Sequence, residues 1–359
     1  MTTKYDEILS LLDHIDPIKY GNSRNYVNGA VTKLSPYVSR GVISVKTIFD
    51  HIIAKGYHKN EIKSFVQQLA WREYFQHVWL EKIIDIEIKN IQDRTVHKLI
   101  PKSIVEHKTK INAIDQSIEN LYNTGYMHNH VRMYVASIVC NVGQSNWKKP
   151  AQWMYYHLLD ADWASNACSW QWVSGAFSSK KYYANQENIS KYTNDNQKNG
   201  FLNNSYEEIA DMDIPNILIE TIDLNLSTLL PENKIVKIDN SKPTLLYNFY
   251  NLDPNWRKDE DVNRILILEP SHFEKYPVSG KSIQFMLDLS DNIDNIQVYV
   301  GELSDLKSTY KISNIISKEH PAFNYYSGIK DNRDWIFPSV SGYYPSFFGF
   351  WKHCEKLLK

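Results

Sequence analysis

The run Gly125–Trp172, GYMHNHVRMYVASIVCNVGQSNWKKPAQWMYYHLLDADWASNACSWQW, decides how the rest of the chain is read. It sets Asn129, His130, Arg132, Asp160, Asp162 and Asn166 among Trp147, Trp153, Trp163, Trp170 and Trp172. Ionisable and amide groups among large aromatics suit a dry pocket that holds a flat, hydrogen-bonding, redox-active ring. A helix over residues 129–140 puts Asn129, Arg132 and Met133 on one face, and Ala136, Ser137 and Cys140 continue that stripe inward. Asp162, Asn166 and Trp170, each four apart, line one side of a second helix. Two such helices face to face bring Arg132 to Asp160 or Asp162, because a buried guanidinium needs a carboxylate. The same pattern also describes a Trp-rich helical core with a single buried ion pair.

The stretch resembles the flavin-binding core of the photolyase/cryptochrome family. That core runs roughly W-M-H-N-R-x-R-M, then W, then D-x-D-x-A-x-N, then W-Q-W. Here it stands as Tyr126-Met127-His128-Asn129-His130-Val131-Arg132-Met133, Trp147, Asp160-Ala161-Asp162-Trp163-Ala164-Ser165-Asn166 and Trp170-Gln171-Trp172. Upstream, Thr32-Lys33-Leu34-Ser35 followed by Pro36 places hydroxyls and a cation before a helix start, as an anion site would. Ser35 as an ordinary helix cap explains the same residues. The family holds the FAD pyrophosphate with a T-S-R-L-S segment, which these four match with Lys33 for Arg, and Tyr20 matches a tyrosine near the same phosphates.

Residues 61–83 carry Ile62, Phe65, Val66 and Leu69 at helical spacing. Their Gln68-Leu69-Ala70-Trp71-Arg72-Glu73 resembles the family's E-L-x-W-R-E, with Gln68 where the family has an acid that touches flavin and lesion. The resemblance, which covers about residues 17–195, implies FAD bound by Tyr20, Thr32, Lys33, Leu34, Ser35, Gln68, Arg72, Asn129, Arg132, Asp160, Asp162 and Asn166. Arg132 and Asp160 pair near the ring, Asp162 accepts from its N3–H, and Asn166 sits beside N5. Trp170 and Trp147 match the first two members of an electron relay. The third position, near residue 94, holds no aromatic, and Trp153 and Trp163 stand nearby as substitutes. Trp71, Asn129, His130, Met133 and Trp172 match residues that face a pyrimidine dimer. Asn129 and Met133 point to the cyclobutane lesion, and His130 replaces an Arg. The implied activity is light-driven repair of cyclobutane pyrimidine dimers in damaged DNA. A cryptochrome-like blue-light photoreceptor acting through a protein partner is the alternative.

The fold expected is mainly α, a helical FAD-binding domain followed by a smaller α/β domain. The expected division is residues 1–205, a linker 206–240, and residues 241–359. Short β-rich runs at 245–249, 265–268 and 296–300, with helix-like stretches at 279–289 and 346–358, carry the second part. Most photolyases place an α/β antenna domain first; here the α/β unit follows, and the sequence assigns no antenna pigment to it. Residues 84–120 read as interrupted helix, with Asp115 at an acidic position of the family, and 173–210 as loops.

Composition agrees with a globular chain: 43% hydrophobic, with 10 Trp and 24 Tyr. Residues 1–200 are net positive and residues 201–359 net negative, summing to −1. A mildly positive half can face a phosphate backbone, and equally can be an ordinary solvated surface. Three widely spaced cysteines suit reduced core residues and cannot ligate a four-cysteine iron–sulfur cluster. An acidic N-terminus and the lack of a long apolar run suggest a cytoplasmic monomer with no membrane segment.

Overall fold

The computed structural model describes residues 1–358. Helices α1 (Tyr5–Asp13), α2 (Pro17–Ser23), α3 (Ser35–Ser39), α4 (Val45–Ala54) and α5 (Lys59–Glu81) open the chain. Strand β1 (Ile100–Pro101) and the one-turn α6 (Lys102–Val105) lead to α7 (Asn112–Thr124), α8 (Asn129–Ser137), α9 (Lys148–His157) and α10 (Trp163–Ser174). Next come α11 (Gln186–Thr193), α12 (Tyr206–Asp211), α13 (Asn216–Ile219) and β2 (Thr221–Ile222), which pairs antiparallel with β1. The rest is β3 (Thr244–Tyr247), β4 (Asn263–Leu268), α14 (Pro270–Lys275), α15 (Gly280–Ser290), β5 (Ile296–Val300), α16 (Leu303–Tyr310), β6 (Ile315–Lys318), β7 (Ile329–Asp331) and α17 (Phe347–Leu357).

Helix α5 is the axis of the helical half, with α2, α10 and α17 packed along it. Its first turn is held by Glu61, whose carboxylate accepts from His58 N at 3.1 Å, satisfying a donor that a helix start leaves free. Helix α7 ends at Gly125, where φ is +72° and an added Cβ would stand 2.6 Å from Leu159 Cγ. Only glycine fits both the left-handed backbone and the close approach. Helix α8 does not run to Cys140 as the periodicity suggests. It gives way to a π turn, Ile138–Val142. The extra residue turns Asn141 inward, where Nδ2 donates to Val173 O (3.0 Å) and Tyr182 O (2.7 Å) and ties the turn to the end of α10.

The expected helix across 84–120 is largely loop. Only α6 and the start of α7 are helical there, and Asp115 closes the loop by accepting from Thr109 N, Thr109 Oγ1 and Lys110 N. The stretch 173–210, expected as loop, contains α11 and α12, each with its own side-chain cap from Asn185 and Ser205.

The second part is a five-stranded parallel sheet of order β5-β4-β3-β6-β7. The chain starts at the centre, winds to one edge, then returns to wind to the other. Every residue of β3 and β4 is buried, as expected of strands covered on both faces. Strands β6 and β7 are short and escaped the sequence pattern; β7 is mostly exposed. Helix α17 does not flank the sheet as expected. Its buried residues Phe347, Phe350, Trp351 and Cys354 share one face, and that face packs on α5. Along the approach to it, Trp335 stacks on His77 (4.2 Å, 15°), Ile336 N donates to the Glu73 carboxylate, and Tyr74 Oη donates to Tyr344 O at 3.0 Å. An apolar stripe fixes that a helix is buried, not which surface buries it.

Candidate functional site

Helices α5, α8 and α10, with the loop before α10, bring the sequence-identified polar residues into one network. From α8, Arg132 donates through Nε to Met127 O at 2.8 Å and through Nη2 to Asp160 Oδ2 at 3.0 Å. Asp160 Oδ1 is also 3.0 Å from Nη2 but out of line with its hydrogens, and it is buried with no hydrogen-bond partner. The Asp160 main-chain oxygen accepts from Ser39 Oγ, which in turn accepts from Arg72 Nη1 at 3.3 Å. Arg72 Nη2 donates to Asp162 Oδ2 at 3.1 Å, and Gln76 Nε2 donates to the same oxygen at 2.7 Å. Arg333 Nη1 donates to Gln76 Oε1 at 2.6 Å and Arg333 pairs with Glu319. The sheet half therefore reaches the centre of the helical half.

The two acids play different parts. Asp162 is the N-cap of α10: Oδ1 accepts from Ser165 N at 2.8 Å while Oδ2 holds Arg72 and Gln76. With 2% of the residue exposed, its carboxylate is committed to protein donors. Arg72 in turn is held by Asp162 and Ser39. Asp160 Oδ1 is ion-paired with Arg132 at 3.0 Å but accepts no hydrogen bond, so it keeps acceptor capacity. A ligand N–H against Arg132–Asp160 uses that capacity, so the donor set here fits a flavin ring. The half-buried Asn166 amide is fixed by donation from Nδ2 to Ala151 O at 2.7 Å.

At the chain's N-terminal end, Lys33 adopts φ +53° just before α3 and its ammonium lies 5.6 Å from the Tyr126 ring centre. Lys33 and Ser35 are exposed and Thr32 is half-buried. Thr32 Oγ1 accepts from Leu34 N at 3.4 Å, while the Leu34 side chain is core. Tyr20 is half-buried with its ring edge against Phe65 (5.0 Å, 87°).

Of the residues expected to face a nucleic-acid lesion, Asn129 is exposed, and Gln68, Met133 and Trp172 are half-buried. Two others, also half-buried, are engaged by neighbours within the chain. One face of Trp71 is covered by Phe347 of α17, stacked at 3.7 Å and 9°. That face cannot also stack on an extruded base. His130 Nδ1 bonds Asn25 O at 2.9 Å, and the ring packs between Tyr134 and Tyr192. Burial and the charge of Arg24 lower its pKa below the usual histidine value, against the bond to Asn25 O.

Trp147 and Trp170 are fully buried, with Trp147 Nε1 donating to Glu87 at 3.3 Å. Trp153 Nε1 donates to Tyr122 Oη at 3.0 Å. Trp163 and Tyr276 share Asp85, at 2.8 and 3.0 Å, with ring centres 5.6 Å apart. Sequence reasoning missed Ser39, Gln76, Arg333 and Phe347. Gln76 was within reach, since Gln68, Arg72 and Gln76 repeat at four-residue spacing along α5. No local signal marks Arg333 or Phe347, which act across more than 250 residues.

Residues 65–228 match the family model described as the FAD binding domain of DNA photolyase. A deoxyribodipyrimidine photo-lyase of Agrobacterium fabrum is 32% identical over 181 residues, which cover 46% of this chain and 37% of that protein. Cryptochrome DASH of Xenopus laevis is 29% identical over 166 residues, 44% of this chain and 32% of its own. The matched region thus spans about a third of those relatives' length. A crystal structure of a bacterial class III photolyase from Agrobacterium tumefaciens, 27% identical, covers 48% of this chain and 38% of its own with a TM-score of 0.39. No helix is long and apolar enough to cross a membrane among the described residues.

Proposed function

Residues 65–228 belong to the FAD-binding domain of the photolyase/cryptochrome family, and from that premise we propose that the chain binds FAD and repairs cyclobutane pyrimidine dimers in DNA under light. The observation that carries the reading is the Arg132–Asp160 pair, whose Asp160 Oδ1 lies 3.0 Å from the guanidinium yet accepts no hydrogen bond. When bound, reduced FAD would supply an excited electron to the lesion and receive it back.

The chain's own residues do the rest. Arg132 compensates negative charge at the ring, and Asp160 Oδ1 takes the ring's N–H. Asn166 offers N5 an amide in place of an acid. Thr32, Lys33 and Ser35, with Tyr20, face the phosphates. Asp162, Arg72 and Gln76 hold the N-terminus of α10 in place and act by positioning. Asn129, Met133 and Trp172 meet the lesion, with Gln68 between flavin and bases. A damaged pair is cheaper to extrude than a sound one, which favours recognition without sequence reading. Trp170 and Trp147, both buried, would serve as the relay that reduces the flavin when it is bound. The division at residues 205 and 241 belongs to the same proposal, with residues 332–358 counted with the helical half.

A second reading, a blue-light receptor signalling through a protein partner, is favoured by the Phe347–Trp71 stack, which covers a face that DNA would use. The deciding experiment is illumination of purified protein with dimer-containing DNA against a dark control. Restored bases with a reduced flavin support repair, and flavin photochemistry without repair supports the receptor. A preparation that takes up no FAD overturns both.

A further inference from the structure

We propose that the outward face of α17 is a DNA-binding rim of the lesion site, with Phe348 entering the base stack as an apolar wedge when a dimer is extruded from a duplex. The proposal rests on the repair reading and adds to it a surface outside residues 65–228, the part that matches the family. Phe348 is 68% exposed, whereas Phe347, Phe350, Trp351 and Cys354 of the same helix are buried. Those four set one face of α17 on α5, and Ser346 Oγ accepts from Gly349 N at 3.1 Å to fix the first turn. The helical register therefore holds the Phe348 ring outward on a rigid support, as insertion between base steps requires.

One exposed apolar side chain is ordinary on a protein surface; position distinguishes this one. Its ring centre lies 5.5 Å from that of Phe347, which is stacked on Trp71 at 3.7 Å. Gln68 precedes Trp71 by one turn of α5 and shares its side. Phe348 thus borders the lesion site beyond the covered face of Trp71.

The charge beside Phe348 has the sign a phosphate backbone needs. Lys352 follows it by one turn on the same face and is exposed, as is Lys356. Helices α5 and α17 run antiparallel, since Trp71 meets Phe347 at one end and Lys63 pairs with Glu355 towards the other. Lys63 and Lys59 continue the row, and with His58 and Asn60 they line a cavity of about 490 Å³. Residues 59–71 and 347–357 together carry four lysines, Lys59, Lys63, Lys352 and Lys356, against two acids. Both acids are engaged, Glu355 with Lys63 and Glu61 with His58 N. From residue 59 to residue 71 α5 rises about 18 Å, room for several phosphates of one strand at about 3.4 Å per step. Extruding a dimer from a duplex opens a gap that a wedge can hold, whereas an unpaired strand has no stack to replace. The strip therefore favours lesions in duplex DNA.

The test titrates the full purified chain, by fluorescence anisotropy, into a dimer-containing duplex and into the same strand unpaired. F348A is expected to bind the duplex about 10-fold more weakly than wild type, with single-strand affinity changed by less than about twofold. F348W, which keeps an insertable ring, restores duplex affinity and so separates insertion from a loss of folding. K352A and K356A each lower the log–log salt slope on the duplex by about 0.9. Unchanged duplex affinity in F348A, an equal loss on both DNAs, or unchanged salt slopes in both lysine variants overturns the proposal and leaves the repair reading standing. A wild type that binds neither DNA overturns both. A wild-type dimer in sedimentation that F348A makes monomeric also overturns it, by assigning Phe348 to a contact between copies of this chain.

Discussion

Replacing Asp160 by Asn tests the division of labour between the two acids. Asp160 lies opposite Arg132 with side-chain exposures of 8% and 19%. Breaking a buried pair costs about 3–5 kcal/mol, and an exposed pair is worth about 0.2–1 kcal/mol. This pair lies between, so D160N should lose roughly 2 kcal/mol of stability. A hydrogen bond to a charged group contributes about 1.5–3 kcal/mol. Asn keeps an oxygen and loses the charge, forfeiting roughly half of that, which weakens FAD about 4- to 13-fold. Asp162→Asn is the contrast, since Asp162 serves the helix cap, Arg72 and Gln76. It should cost more stability, about 3 kcal/mol, with the smaller direct effect on the ligand. The assay is FAD titration by flavin fluorescence, with far-UV circular dichroism confirming equal folding. Asp162→Asn weakening FAD more than Asp160→Asn, or an Asp160→Asn affinity within about twofold of wild type, would refute the assignment of the remaining acceptor capacity to Asp160 Oδ1.

Other outcomes follow from particular contacts. Phe347→Ala removes a buried ring and should cost about 3–5 kcal/mol in urea unfolding, yet raise affinity for dimer-containing DNA by uncovering Trp71; weaker DNA binding would contradict the covered-face reading. His130→Ala should leave DNA affinity unchanged, whereas His130→Arg should strengthen it and steepen the log–log salt slope by about 0.9, measured by fluorescence anisotropy. Glu73 is pushed up to about 7 by burial, against main-chain N–H groups of Ile336 and Phe337 and the charge of Arg333. A raised acid favours the folded state while protonated, so its contribution is full below the ordinary value of 4.5, declines as pH rises, and is gone above about 7. Over that window Glu73→Gln should flatten the stability profile by about 3 kcal/mol at most, read from urea midpoints at several pH values.

Much of the helical half was legible because its signals are local. The α5 face, the 129–133 spacing and the Asp162, Asn166, Trp170 spacing all repeat at the period of a helix, and matched residues at matched intervals carried the family. Where local signals were weak, the reading slipped. Residues 84–120 carry enough polar and apolar residues to look helical, but Asp115 spends its carboxylate on closing a loop. Strand β7 is too short and exposed to leave a pattern.

By itself the sequence determined that this chain holds a Trp-rich helical core with Arg132 near a carboxylate, followed by strands that alternate with helices. Periodicity reports which residues share a face, and nothing more is needed for that. Only the tertiary structure decided that Asp162 is held by Ser165, Arg72 and Gln76 while Asp160 Oδ1 accepts no hydrogen bond, that His130 packs between Tyr134 and Tyr192, and that Phe347 lies on Trp71. Each depends on which of several distant groups reaches a given atom first. Hydrogen-bond capacity is finite, so every donor claimed by one carboxylate changes what its neighbour can bind.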